Sequence, residues 1–393
     1  MMKLKKIAAI VIGLIMTNIT IAQTENMNFE FGNFNNWVLD TGVRNNMPGG
    51  VDWNPRPADD LDVQIELTSP ATEQFDQNGL NCMPTALNIP TVFPGGLFSA
   101  RIGNIDGGRR AARISRTFVV TANEAFLQYS YAIVLEDPSH TQEEQPKFVV
   151  NIRGEDGAIV TCGQFEAFAG PNAASKGFVS CDIFNYQILP WTTAGADLTP
   201  FIGQQITIEF ISLDCTLGAH GGYAYVEATL QPLEVQVENL CIENNMITGA
   251  IVLTAPLGFT SYLWSTGATT RSITVPDAQL GQTFTVDLIS NTGCNSSASV
   301  TLGPVPSATI DPIPDQEICQ GGNVAIIPTG ENTGDFRFTV PDPAAPGQFI
   351  DVVPPANAAV LTPTEDTTYT VIARDENGCD GPSTTFTVTV IPS

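Results

Sequence analysis

The chain has 393 residues, too many for one small domain, and its 34 glycines and 28 prolines lie among abundant Thr, Val, Ile and Phe, a composition that favours strands and turns over long helices. Sixteen Lys and Arg against 41 Asp and Glu give a formal charge of −25, which repels phosphate backbones and anionic lipid and so argues against nucleic acid as a partner. After the first two dozen residues, no segment is apolar over the roughly 20 positions that a bilayer-spanning helix needs, so no transmembrane segment is expected in the mature chain.

The N-terminus opens with Lys3, Lys5 and Lys6 and no acid, continues with the apolar run 7–16, and reaches Thr20-Ile21-Ala22. That order predicts a secretory signal peptide over residues 1–22, cut before Gln23. Its removal takes away three positive charges and no negative ones, which moves the formal charge to −28. Export in turn predicts that the eight cysteines are oxidised, as four disulfides; none of their spacings is the C-x-x-C of a zinc or redox motif.

Residues 23–232 form the first predicted domain. Strands are expected at 113–120, 125–134, 147–152 (KFVVNI), 205–211 (QITIEFI) and 223–230, with turns such as Glu155-Asp156-Gly157 between them. About 200 residues of strand pattern without a helical period read as one large sandwich or jelly roll. Cys82, Cys162, Cys181 and Cys215 fall here and allow three pairings; the preferred one joins Cys162 to Cys181, near each other on a hairpin-like stretch, and Cys82 to Cys215. Three ligand-binding candidates follow. Trp53 lies in the Gly-, Asn- and Pro-rich segment 49–57, which reads as a loop presenting an aromatic plate for a sugar ring. His140 and His220, the two histidines of the chain, fall in polar loops that can meet at one end of a sandwich and there hold a metal or a sugar hydroxyl. Arg109, Arg110, Arg113 and Arg116 make the one basic cluster, read as ion-paired, and Asp59, Asp60 and Asp62 read as a solvated turn, too close in sequence for the two carboxylates of a glycosidase. Trp37 and Trp191 sit in strand-like patterns and are expected in the core.

Three stretches of this domain carry a resemblance. Asn28-Phe29-Glu30 with Asn33-Phe34-Asn35-Asn36-Trp37, the run 197–204 (DLTPFIGQ) leading into ITIEF, and Gly222-Tyr223-Ala224-Tyr225-Val226-Glu227 resemble the FExGxFxxW opening, the DLSxYxGxxVxIxF strand entry and the GxAYxD closing strand of jelly-roll carbohydrate-binding and adhesion modules. The resemblance implies a structural Ca²⁺ between first and last strands, held here by Glu30 and Glu227, with Glu standing where the closing strand usually has Asp.

Residues 233–303 contain Tyr262-Leu263-Trp264-Ser265-Thr266-Gly267-Ala268-Thr269-Thr270 followed by SITV at 272–275, which resembles the core of Ig-like and PKD-like repeats in large exported proteins of gliding bacteria. Trp264 is then the buried ring of a small sandwich, and Cys241 with Cys294 its staple. Residues 304–393 repeat the layout, with Cys319 and Cys379 as staple, Asn377-Gly378-Cys379 matching Thr292-Gly293-Cys294, and Phe336 or Phe338 in place of the Trp. Pro304, Pro306, Pro312 and Pro314 read as a stiff linker. The predicted fold class is all-β, an N-terminal jelly roll followed by two Ig-like sandwiches.

The sequence holds no H-E-x-x-H, G-x-S-x-G, Walker loop or G-x-G-x-x-G, and no catalytic residues are assigned. The resemblance implies a secreted or cell-surface adhesion protein in which the jelly roll meets a glycan or surface protein and the Ig-like pair acts as stalk. The alternative is an accessory part of a secreted degradative hydrolase. Such proteins commonly end in a sorting domain; residues 390–393 instead close a repeat, so the chain is expected to be a piece of something longer.

Overall fold

The computed structural model describes residues 25–45, 49–55, 64–83, 86–170, 173–182, 185–243, 246–304, 306–342, 344–345 and 348–392. The predicted leader and Asp59, Asp60 and Asp62 lie outside these residues. The chain divides into two compact units, Met1–Pro232 and Leu233–Ser393.

Among the described residues twelve strands build the first unit: β1 Val38–Arg44, β2 Val51–Pro55, β3 Ile65–Thr68, β4 Ser99–Asn104, β5 Arg110–Val119, β6 Phe126–Glu136, β7 Lys147–Arg153, β8 Ile159–Phe168, β9 Val179–Cys181, β10 Tyr186–Asp197, β11 Gln205–Leu213 and β12 Gly222–Gln231. They form two six-stranded antiparallel sheets, β2-β1-β5-β11-β7-β8 and β3-β4-β12-β6-β10-β9. From β4 onward the chain crosses between sheets at most connections, so the strands run 4-12-6-10 in one sheet and 5-11-7-8 in the other. That order is a jelly roll, and every strand read from the sequence is part of it.

The alternation of side chains fills the space between the sheets. Ala112, Ile114, Ile206, Ile208, Phe210, Phe148, Val150 and Ile152 of one sheet meet Ala100, Ile102, Leu127, Tyr129, Tyr131, Ala224 and Val226 of the other in one apolar cluster. The segment before β1 closes this core. Phe29 is fully buried despite a left-handed backbone at φ 62°, and its ring stacks on Trp37 at 5.1 Å, while Trp37 reaches Phe210 at 6.1 Å. Burying two large rings offsets the strain of a non-glycine residue at positive φ. Trp191 is half-buried: Pro190 removes a ladder donor, the β10–β6 register slips between Leu189 and Thr192, and the Trp191 indole N–H donates to the Pro90 carbonyl instead.

In the second unit, one sheet of Gln236–Glu238, Ile251–Thr254 and Ser272–Val275 and another of Phe259–Trp264, Thr283–Ser290 and Asn295–Thr301 make the first Ig-like sandwich. Thr283–Ser290 buries every second residue, Phe284, Val286, Leu288 and Ser290. Trp264 is buried, its indole N–H donates to the Thr270 carbonyl, and Gly267 at φ 86° turns the chain back onto it, so the WSTGATT run is a folding element. In the second sandwich the strand Asp335–Pro341 places Phe336 and Phe338 in the core, and Tyr369 stacks on Phe386. The repeat is visible in detail: Gly293 and Gly378 both adopt positive φ, and each donates to the carbonyl three residues back, of Ser290 and Asp375. The proline-spaced stretch expected as a linker is in part structure, since Ala308 is buried and Thr309 and Asp311 donate to the carbonyls of Glu331 and Thr329.

The expected disulfide pairs do not form. Cys82 bonds Cys181 and Cys241 bonds Cys379, while Cys215 and Cys319 are free thiols. Cys162 and Cys294 are disulfide-bonded as well. The preferred Cys162–Cys181 pair fails because the chain crosses between sheets, placing Cys162 on β8 and Cys181 on β9 at edges of different sheets. Cys82 follows the one-turn helix Gln77–Leu80, where the Asp182 amide bonds the Met83 carbonyl and brings Cys181 within 4.9 Å between Cα atoms. Cys82–Cys215, Cys241–Cys294 and Cys319–Cys379 are corrected with it: Cys215 is buried at the β11–β12 turn, and the second-unit bridge joins the two repeats rather than closing either.

Candidate functional site

Because Ala112, Ile114, Ile208, Phe210 and Val150 point inward, Arg113, Glu209 and Asn151 point out on the opposite face of the same sheet. Cross-strand register aligns Asp40, Arg113 and Ile211 in one row and Ser115, Glu209, Asn151 and Gln164 in the next. Arg113 donates to Asp40 through Nε and to Glu209 through Nη1, each at 2.9 Å. Glu209 also accepts from Arg153 Nε at 2.7 Å and Asn151 Nδ2 at 3.1 Å, and Gln164 Nε2 donates to Asn151 Oδ1 at 3.3 Å. The carboxylates of Asp40 and Glu209 are only 5 % exposed, so these charges are held by mutual pairing, and each hydrogen bond fixes the rotamer of the next.

Trp53 borders this face. The expectation of a loop is corrected: Trp53 lies on β2, opposite Gly42 of β1, where the missing Cβ lets the indole lie against the backbone. Its ring is half-buried beside Ala111, Ile211 and Leu213, with the Arg113 guanidinium 4.4 Å from the ring centroid. At the other edge Phe168 of β8 carries the Lys176 ammonium 4.2 Å from its centroid. Trp53 and Phe168 thus stand at opposite edges of this face, five strand intervals or about 24 Å apart, at the two ends of the row Gly42-Ala111-Leu213-Lys147 that runs beside the hydrogen-bonded residues. The predicted basic cluster is dispersed: Arg113 serves this face, Arg116 is buried near Trp37 at 5.9 Å, and the Arg110 amide bonds Asp214.

His140 and His220 do meet at one end of the jelly roll, with ring centroids 5.4 Å apart. They converge on Cys215, the thiol that had been expected in a disulfide, and the ligand atoms of all three lie within 4.8 Å of one another. Asp214 next to it is pushed up to about 7 by burial, against the opposing pull of the Arg110 amide and guanidinium.

Glu30 and Glu227 are also brought together. Glu30 accepts from the Leu97 amide at 2.9 and 3.1 Å, and a Cβ built on Gly96 would lie 3.0 Å from Glu30 Oε1, 3.3 Å from Glu227 Oε2 and 3.4 Å from the Phe93 carbonyl oxygen. Glu227 Oε2 is buried without a hydrogen-bond partner among the described residues, and burial first, then the Glu30 carboxylate, pushes Glu227 up to about 7. Two carboxylates and a carbonyl beside Gly96 are hard oxygen donors of the kind that Ca²⁺ takes.

The other sheet carries a cleft of about 320 Å³ lined by Asp76, Asn78, Arg101, Asp106, Tyr223 and Tyr225, among others, that sequence reading missed. Both tyrosine hydroxyls donate to Asp76 Oδ2, whose other oxygen accepts from the Gly79 amide and caps the helix. Among the described residues no helix is long and apolar enough to cross a membrane.

No protein-family model matches the chain, and a search of curated proteins finds no match. Among solved structures, the chain is similar to TmCBM61 in complex with β-1,4-galactotriose, at 10 % identity and TM-score 0.27 over 53 % of this chain and 97 % of that one. It is also similar to fibronectin(III)-like modules of Clostridium thermocellum CbhA, at 11 % identity and TM-score 0.23 over 40 % of this chain and 94 % of that one. The four N-terminal Ig domains of Dscam1 match at 11 % identity and TM-score 0.18, over 62 % of this chain and 70 % of that one. With scores this low, the fold rests on the strand order itself: the chain is a multidomain β-sandwich protein.

Proposed function

We propose that the jelly roll is an extracellular recognition module that binds a glycan across the outer face of the sheet β2-β1-β5-β11-β7-β8, and that the two Ig-like sandwiches hold it away from its attachment point. The protein binds on this reading and does not catalyse. The observation that carries it is the hydrogen-bonded chain Asp40-Arg113-Glu209-Asn151-Gln164 on the sheet face whose two edges carry Trp53 and Phe168. Sugar recognition needs donors and acceptors fixed in advance, so that ordering them costs little on binding, and aromatic surface for the apolar face of the ring. The oxidised cysteines support an oxidising, extracellular compartment.

On the same reading Glu30, Glu227 and the Phe93 carbonyl hold a structural Ca²⁺. The ion would supply the positive charge that the buried Glu227 oxygen lacks, and so tie the segment before β1 to the last strand.

A glycan array probed with the chain lacking residues 1–22 tests the proposal, with Ca²⁺ or EDTA and with Trp53→Ala alongside. The expected result is a narrow set of bound glycans, with a signal lowered at least tenfold by Trp53→Ala and weakened by EDTA. No bound glycan in either buffer would sink the glycan reading and favour a protein partner.

A further inference from the structure

The grouping of His140, Cys215 and His220 is not used by the recognition surface or by the Glu30–Glu227 pair. Cys215 and His220 belong to the turn between β11 and β12, closed by the Cys215 amide on the His220 carbonyl at 2.9 Å and the Gly218 amide on the Cys215 carbonyl at 3.2 Å. His140 comes from the connection between β6 and β7, and its Nδ1 lies 3.4 Å from Cys215 Sγ. Arg44 fastens the two segments together. Its buried guanidinium donates to the carbonyls of Glu143 and Gln145 on one side and of Asp214 on the other. The Thr216 amide adds a bond to the Glu144 carbonyl, and the Gly221 amide donates to the Glu136 carboxylate. The three side chains are therefore held in place by backbone contacts that do not depend on them.

Two further observations point to a ligand. Cys215 is fully buried and unpaired in a chain whose disulfides otherwise take up every cysteine but Cys319, and its sulfur faces both His140 Nδ1 at 3.4 Å and the Leu217 amide at 3.2 Å. His220 Nδ1 is buried with no hydrogen-bond partner among the described residues, an unfavourable state that a bound cation relieves.

We propose that His140, Cys215 and His220 form a binding site for a borderline-soft divalent cation, zinc in the first instance, held by two imidazole nitrogens and one thiolate. Nitrogen and sulfur donors select Zn²⁺ over the Ca²⁺ that carboxylates prefer. Binding releases the Cys215 thiol proton to solvent and leaves the sulfur as the thiolate ligand. Three protein donors leave a fourth tetrahedral position for water or an incoming oxygen or nitrogen ligand.

The test uses the chain lacking residues 1–22, disulfides intact, stripped with chelator, with Cys319→Ser removing the other thiol and excess Ca²⁺ present throughout. Co²⁺, which takes the same ligands as Zn²⁺, is added and the near-ultraviolet thiolate-to-cobalt charge-transfer band is recorded. One equivalent should saturate the band, and one equivalent of Zn²⁺ should abolish it. Zn²⁺ should also slow alkylation of Cys215 at least tenfold, a readout that needs no second variant. His220→Ala should weaken cobalt binding at least tenfold while leaving the native near-ultraviolet circular dichroism. Absence of the band, with equal alkylation rates with and without Zn²⁺, would overturn the proposal. So would cobalt binding that persists undiminished in Cys215→Ser.

Discussion

Glu227 shows what one buried carboxylate does to the stability of this fold. Its folded pKa of about 7 lies above the ordinary carboxylate value, so the folded state holds a proton that the unfolded state has already lost. The associated stability is present in acid and is lost as pH rises from about 4.5 to about 7. In EDTA the midpoint of urea unfolding should therefore fall across that window. Glu227→Gln should flatten the fall by on the order of 2 kcal/mol. Comparing variant with wild type separates Glu227 from Asp214, which burial also lifts to about 7. Millimolar Ca²⁺ should raise wild-type stability above pH 7 and leave Glu227→Gln unchanged; equal calcium effects on both would remove the ion from this pair. The Glu30–Glu227 contact was legible in the sequence because the opening and closing motifs of the jelly roll name both ends. Cys215 beside the histidines was not, because an even cysteine count in an exported chain favours pairing all eight.

The individual strands were the most legible part of the molecule. KFVVNI and QITIEFI alternate cleanly because each has one face in a core, and β7 and β11 pair with each other in register. Trp53 was misread because Asn, Pro and Gly around it mark a loop by composition, whereas β2 is an edge strand, which tolerates such residues. The WSTGATT hairpin gives the cleanest prediction at this scale. Trp264→Ala removes a buried indole from a small sandwich and should cost about 3–5 kcal/mol, with Phe338→Ala in the second sandwich of similar size. Urea denaturation followed by hydrogen exchange over each repeat checks this, and a loss under about 1 kcal/mol for both would deny these rings their role as core centres.

At the scale of the whole molecule the disulfides were the least legible feature. A jelly roll sends neighbouring segments to different sheets, so closeness in sequence does not mean closeness in space, and Cys241 of the first repeat joins Cys379 of the second instead of either closing its own sandwich. Cys82–Cys181 spans 99 residues and Cys241–Cys379 spans 138. Loops of that size give a chain-entropy stabilisation of about 4–5 kcal/mol each, with measured effects often smaller. Cys82→Ser should destabilise the first unit and leave hydrogen exchange over residues 246–304 unchanged, and Cys379→Ser should do the reverse. The proposed recognition surface was only half visible beforehand: Trp53 was named, but the hydrogen bonds that lock Asn151 and Gln164 exist only once β5, β11, β7 and β8 lie side by side. The most direct test of that surface is calorimetric titration of the strongest array glycan into wild type, Gln164→Ala and Asn78→Ala, the last lying in the cleft of the opposite sheet. Glycan binding across β2-β1-β5-β11-β7-β8 predicts at least a fivefold loss for Gln164→Ala and wild-type affinity for Asn78→Ala; unchanged affinity for Gln164→Ala with a loss for Asn78→Ala would contradict it.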